Sequence, residues 1–274
     1  MKPKLSVLIA TCRPAGIERV VAMNLPEVEG VHYWASWQMH ENLPVPEMLA
    51  SRKDVTVLRV DSIGLSKNRN NLLDNAVGDV FLIADDDLRY TSAQLVDVIR
   101  TFDDNPEVDY ASFMFTGADA KVYPSHACPL WPVPQNFSQT SFEVAIRNNS
   151  RTARLRYNPF FGLGASVLRS GEDELFLLSA IRLGLNCRFF PIVITHHEGL
   201  TTGTRKITDN GVLQASGAVI FLQYPFTAVL RVPLKAWRLS KSGQAHFCKS
   251  LWYLCKGMWH LWTNKDVRHS VKFK

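Results

Sequence analysis

Apolar runs of strand length recur at Leu5 to Ala10, Val31 to Trp37, Val55 to Val60, Val80 to Ala84 and Asp109 to Phe115. The segments between them read as helices. Pro14 suits a first helical turn ahead of Ile17, Val20 and Val21, and further helices are expected over Leu65 to Ala76 and Ser92 to Phe102. Strand alternating with helix predicts an α/β fold, a doubly wound and mostly parallel sheet flanked by helices. Such sheets bind ligands beyond the carboxyl ends of their strands, and Asp85, Asp86 and Asp87 follow one of those ends.

The periodicity fades from about Gly117 to Pro159, where Pro124, Pro129, Pro132, Pro134, Asn148 and Asn149 predict a long irregular stretch of the kind that usually carries function or moves. A strand-like run over Cys187 to Thr195 and the polar segment HHEGLTTGTRK come later. The apolar stretch from Gly217 to Leu230 contains Pro225 and falls short of the ~20 residues needed to span a bilayer. Beyond it, Phe247, Leu251, Leu254, Cys255, Met258 and Trp262 share one helical face. That stripe predicts either an amphipathic helix lying in a membrane interface or a C-terminal helix packed on the protein's own core. The expected organisation is an α/β domain over 1–210 and a helical, membrane-associating extension over 211–274.

Composition sharpens this picture at two points. With 274 residues, 46% hydrophobic and 20% charged, the chain can bury a large core, and its five cysteines lack paired metal-ligand spacing, which fits a reducing compartment. The N-terminal apolar run is strand-length and has no cleavage-site pattern, so it reads as a core strand. The net charge of +6 hides an asymmetry: residues 231–274 hold ten Lys/Arg against the single acid Asp266. A basic, tryptophan-rich tail invites an anionic surface. Because its aromatics repeat at helical spacing, lipid suits it better than nucleic acid. The expected location is cytoplasmic, peripheral to the inner face of the cell membrane.

Three adjacent carboxylates behind a buried strand repel one another and lose hydration, so something cationic should sit among them. The alternative is an acidic loop with one Asp capping a helix and the rest solvated. Four segments bear on the choice: SVLIATCRP, GLSKNRNNLLDNAVGDVFLIADDD, FGLGASVLRSGEDELFLL and VITHHE. In this order and spacing they resemble the family 2 glycosyltransferases of bacterial glycan assembly, enzymes of the GT-A fold. The resemblance implies an inverting sugar transfer from a nucleotide-sugar donor, with a UDP-sugar the first expectation, to a glycan or lipid-linked acceptor.

By that resemblance Asp87 is the direct ligand of Mn²⁺ or Mg²⁺, Asp85 contacts metal or ribose, and Asp86 is auxiliary. One of His196 and His197 could complete the metal shell, or both could be structural. Arg69, with Lys67 assisting, and Thr11 and Arg13 are expected near the nucleotide. Trp37 and Gln38 stand where many relatives carry an acid that reads uracil; an amide can pair with a base edge, but the base is left open. Asp173 is implied as the general base, supported by Glu172, although Ser170-x-x-Asp173 is also a helix capping-box pattern. Two other readings compete: a nucleotidyltransferase, disfavoured because ATCRPAG offers only Gly16 where a glycine-rich loop is expected, and a non-catalytic membrane-surface protein.

Overall fold

The structure is a computed structural model, and it describes residues 2–118, 121–135, 137–199 and 209–270. The chain divides into two compact units. One comprises Met1–Ile63, Lys67–Arg156 and Ser179–Leu200, the other Gly64–Ser66, Tyr157–Leu178 and Thr201–Lys274.

In the first unit, the alternating runs become β1 (Leu5–Cys12), α1 (Pro14–Ala22), β2 (Val31–Gln38), α2 (Glu47–Ala50) and β3 (Val55–Val60). They continue as α3 (Leu65–Asn75), β4 (Val80–Asp85), β5 (Leu88–Arg89), α4 (Ser92–Asp104) and β6 (Tyr110–Gly117), with α3 beginning in the second unit. Each expected strand and helix forms, and the central runs bury fully, with Leu5, Val7, Leu8, Ile9 and Leu82 inaccessible, while the edge strand β3 is only partly buried. Thr91 caps α4 in a reciprocal capping box with Gln94.

The irregular stretch departs from expectation. It contains β7 (Cys128–Pro129), a single 3-10 turn at Ser141–Glu143 and β8 (Val144–Arg147). After α5 (Glu172–Arg182) the sheet is completed by β9 (Cys187–His197). Strand order is β3-β2-β1-β4-β8-β6-β9-β5, with β7 added on β9. β1 to β4 form a parallel half, whereas β8 runs antiparallel to both β4 and β6. Four residues are too few for a periodic signal, so the central position of β8 is a product of tertiary pairing.

The second unit carries α6 (Asn210–Gln223), α7 (Ala228–Lys241), α8 (Phe247–Thr263) and α9 (Lys265–Ser270). Leu261, Val267, Ala215, Ala218 and Val219 share one buried cluster with Phe161, Leu168 and Leu175. The division therefore differs from a boundary at residue 210: the C-terminal helices build one core with residues 157–178. Leu254 is buried with Val232 and Ala236, and Phe247, Leu251 and Met258 pack against them. Most of the expected stripe thus faces its own helices, whereas Trp262 and Cys255 stay exposed. No helix among the described residues is long and apolar enough to cross a membrane.

Backbone contact sets the α6–α8 spacing. A Cβ on Gly217 would collide with the Leu254 carbonyl, and one on Gly257 with the Gln214 carbonyl. Because neither obstacle is a flexible side chain, Gly257→Val should force the helices apart and lower stability by about 3 kcal/mol. Urea denaturation measures this, and an unchanged midpoint would contradict the close packing.

Candidate active site

The carboxyl ends of three parallel strands supply the site. Register places Thr11 opposite Trp37 and Ala10 opposite Asp85, so β1, β2 and β4 end side by side. Asp86, just past β4, is the most enclosed of the three acids, with its side chain 10% exposed. Arg19 of α1 grips it with two bonds, Nε and Nη2 each donating at 2.9 Å, and Thr11 Oγ1 donates at 2.6 Å. Burial, the largest influence, raises the Asp86 pKa, while Arg19 and Thr11 pull against it. A side chain at Gly16 would strike Thr11 Oγ1, so this glycine makes room for the clamp.

Asp85 faces another way. Arg69, 2% exposed, donates from Nη2 to Asp85 at 2.9 Å and also to Ser141. It is buried beneath a carboxylate that is itself 31% exposed. Its neighbour Asn68 donates to the carbonyls of Thr11 and Ser36, tying α3 to the ends of β1 and β2. Lys67, one position earlier, is exposed. Arg13 is also exposed and adopts φ 68° at the start of α1; its amide donates to the Gln38 carbonyl and its own carbonyl accepts from Trp37 Nε1. Gln38 is buried, and its Nε2 donates to Ser62 at 3.0 Å.

Asp87 meets a histidine. β5 pairs with β9 so that Leu88 opposes His197 and Arg89 opposes His196. Adjacent strand residues point to opposite faces, and only His197 reaches Asp87, with Nε2 3.4 Å from Oδ2. His196 is exposed and its Nδ1 lies 3.1 Å from Thr116 Oγ1. The His197 ring packs against the mutually contacting rings of Phe115 and Phe142, is 3% exposed, and its Nδ1 has no partner among the described residues. No group of three or more His, Cys, Asp or Glu that could hold a metal ion occurs among the described residues. An Asp87–His197 pair with the half-open Asp85 nevertheless suits a cation that takes one or two protein ligands and completes its shell with phosphate and water.

A buried acid that the sequence did not single out lies nearby. Glu143 is fully inaccessible and accepts from Lys121 Nζ and Tyr123 Oη at 2.5 Å each and from Thr140 Oγ1 at 2.7 Å. These bonds fasten both flanks of the proline-rich stretch to the 3-10 turn that holds Ser141 against Arg69. A Thr-x-x-Glu capping box at Thr140 was the available signal.

In the second unit, Gly162 has φ 100°, and a side chain there would press on the Glu172 carboxyl at 3.1 Å. Leu65 donates to the Leu163 carbonyl and Ser66 Oγ to that of Phe161, securing the glycine loop. Glu172, Asp173 and Glu174 fill the first turn of α5. The first helical bond runs from the Leu175 amide to the Gly171 carbonyl, so the helix begins one residue later than the Ser170-x-x-Asp173 capping pattern requires. Residues 200–208, the later part of the polar segment after His197, lie outside the described residues.

Comparison with known proteins agrees with this architecture. Residues 40–164 match the sequence profile of glycosyl transferase family 2. Residues 1–349 of Staphylococcus aureus TarS share the fold at TM-score 0.57 and 16% identity, over 99% of this chain and 75% of that one. The TarS complex with UDP-GlcNAc gives 0.56 and 14%, over 80% of this chain and 66% of that one. The mannosyltransferase PcManGT from Pyrobaculum calidifontis, in complex with GDP-Man and Mn²⁺, gives 0.56 and 13%, over 99% and 84%. No curated protein sequence matches the chain.

The clamp on Asp86 generates a pH-dependent expectation. Arg19→Met removes both guanidinium bonds, and because Arg19 is half exposed the loss should be about 1–2 kcal/mol at neutral pH. Burial already raises this carboxyl's pKa, and losing the cation raises it further. An acid whose folded pKa lies above its unfolded value favours folding at low pH and loses that contribution as pH rises. The unfolded reference is common to both proteins, so the deficit of the variant should be small where Asp86 is protonated in both and grow as pH rises through the raised folded value of the wild type. Denaturation midpoints measured at acid and neutral pH check this, and a deficit that is constant or larger in acid would refute it.

Proposed function

We propose that this chain, a glycosyltransferase of family 2 with the GT-A fold, transfers a sugar from a nucleotide-sugar donor to a hydroxyl of a glycan or lipid-linked acceptor, inverting the anomeric carbon. A UDP-sugar is the first candidate donor, and surface polysaccharide synthesis is the proposed setting. One observation carries the reading: of three adjacent acids at the end of β4, Asp86 is sequestered by Arg19 and Thr11, while Asp85 and Asp87 remain 31% and 41% exposed. Arg69 and His197 partner those two carboxylates, yet both acids stay partly open at a strand end where like charges repel. A ligand that brings positive charge gives them a use.

Asp87, with Asp85 and His197, would hold Mn²⁺ or Mg²⁺. Such an ion neutralises charge on the departing nucleoside diphosphate. Arg69 orients Asp85 from beneath, and Thr11 and Asn68 fix the strand ends against which a nucleotide would lie. Arg13, Lys67 and Gln38 belong to the same nucleotide side, and the amide of Gln38 leaves the base unassigned. Asp173, in the first turn of α5, would accept the proton of the acceptor hydroxyl, with Glu172 supporting it; a single base and no covalent intermediate give inversion. The basic, acid-free segment from 210 to 265 supports an acceptor presented at an anionic membrane, at its cytoplasmic face.

Thermal-shift titration with a panel of nucleotide sugars, with and without Mn²⁺, tests the donor half. Asp87→Ala should abolish the metal-dependent shift and leave the unliganded melting temperature unchanged or slightly higher, because a repelling charge is removed. Equal Mn²⁺-dependent affinity in wild type and variant would remove Asp87 from the site.

Asp173→Asn separates the acceptor half. Asparagine keeps the shape but takes no proton, so turnover should fall about 10²-fold or more with donor affinity intact. Near-normal transfer would leave Asp173 a helix-terminal residue and nothing more.

A further inference from the structure

Helix α8 carries two apolar stripes, and only one is used by the fold. Ser250, Leu254, Gly257 and Leu261, spaced by four, three and four, are its buried face. Trp252, Cys255, Trp259 and Trp262, spaced by three, four and three, lie on another face, and the three tryptophans are 58–67% exposed. These four residues, with Phe221 of α6 and Met258, line an apolar groove of about 720 Å³ in which Lys256 is the sole charged residue. An exposed patch with three tryptophans is outside what isolated surface apolars explain.

We infer that this groove is the seat of the protein on an anionic phospholipid surface, with Trp252, Trp259 and Trp262 entering the headgroup region and Lys256 meeting lipid phosphate. The inference rests on the membrane reading above and assigns it to particular residues: Cys255, Met258 and Trp262 come from the stripe that the sequence suggests, and Trp252 and Trp259 are added to them. Charge decides the occupant. From residue 210 to 265 the chain has no Asp or Glu, while Arg231, Lys235, Arg238, Lys241, Lys249, Lys256 and Lys265 are all basic. A second copy of this chain would bring the same uncompensated bases face to face, and repulsion would oppose pairing. An anionic bilayer supplies both the opposite charge and an apolar phase at the depth where tryptophan partitions.

The test uses the full-length protein and phosphatidylglycerol-rich vesicles, with pure phosphatidylcholine vesicles as the neutral control. Combined Trp252→Gln, Trp259→Gln and Trp262→Gln changes only exposed positions, and its melting temperature confirms folding. Vesicle partition of this variant should fall about tenfold or more, and the blue shift of tryptophan emission on binding should shrink. Lys256→Glu should weaken binding to the anionic vesicles with little change on the neutral ones. Nucleotide-sugar thermal shifts measured on the same preparations should match wild type, so a failed lipid result and a failed donor result are told apart. Undiminished binding by the triple variant overturns the inference. So does absence of wild-type binding to the anionic vesicles, including a result in which the tryptophans instead mediate self-association without lipid.

Discussion

The ion pair between Asp86 and Arg19 is the contact on which the acidic end of β4 depends. Three consecutive aspartates cannot all face one another at the margin of a core, and the chain resolves this by giving each a separate partner: Arg19 for Asp86, Arg69 for Asp85 and His197 for Asp87. Asp86 is the pivot, because turning its side chain inward onto α1 directs its neighbours elsewhere along the strand. Thr11 closes the clamp from β1, and Gly16 exists without a side chain so that it can close. What remains partly exposed is a pair of carboxylates held by bonds from behind.

The same logic of anchoring from below recurs in the rest of the first unit. Arg69 serves Asp85 and Ser141, and Ser141 belongs to the short turn whose Glu143 fixes Lys121 and Tyr123. A buried carboxylate with several donors is stable where an unpaired one would not be, and here it secures a long proline-rich stretch to the strand system.

The second unit is organised by backbone proximity. Gly217 and Gly257 let α6 and α8 approach until carbonyl groups replace side chains as the contact surface, and Leu254 fills the remaining space with Val232 and Ala236. Packing this close satisfies one face of α8 and leaves its tryptophan edge exposed among the described residues. An apolar edge that the core does not use, bordered by bases alone, is material for recognition at a surface.

The sequence by itself determined the alternation of strand and helix in the first unit, because its central strands are continuous apolar runs and Pro14 and Thr91 mark the starts of α1 and α4. It also located the acidic strand end, since three adjacent aspartates after such a run stand out in any register. Tertiary structure alone decided how those acids divide, because Arg19 and His197 are 67 and 110 positions away from their partners; nothing local marks Arg19, and the histidine pair gives no sign of which ring reaches Asp87. Likewise β8 is four residues long, too short for periodicity to show, and exists because β4 and β6 need a strand between them. In α8 the apolar residues were legible, but two stripes overlap on one short helix. Which of them turns inward was decided by where two glycines permit the closest approach, a distance constraint that no linear pattern contains.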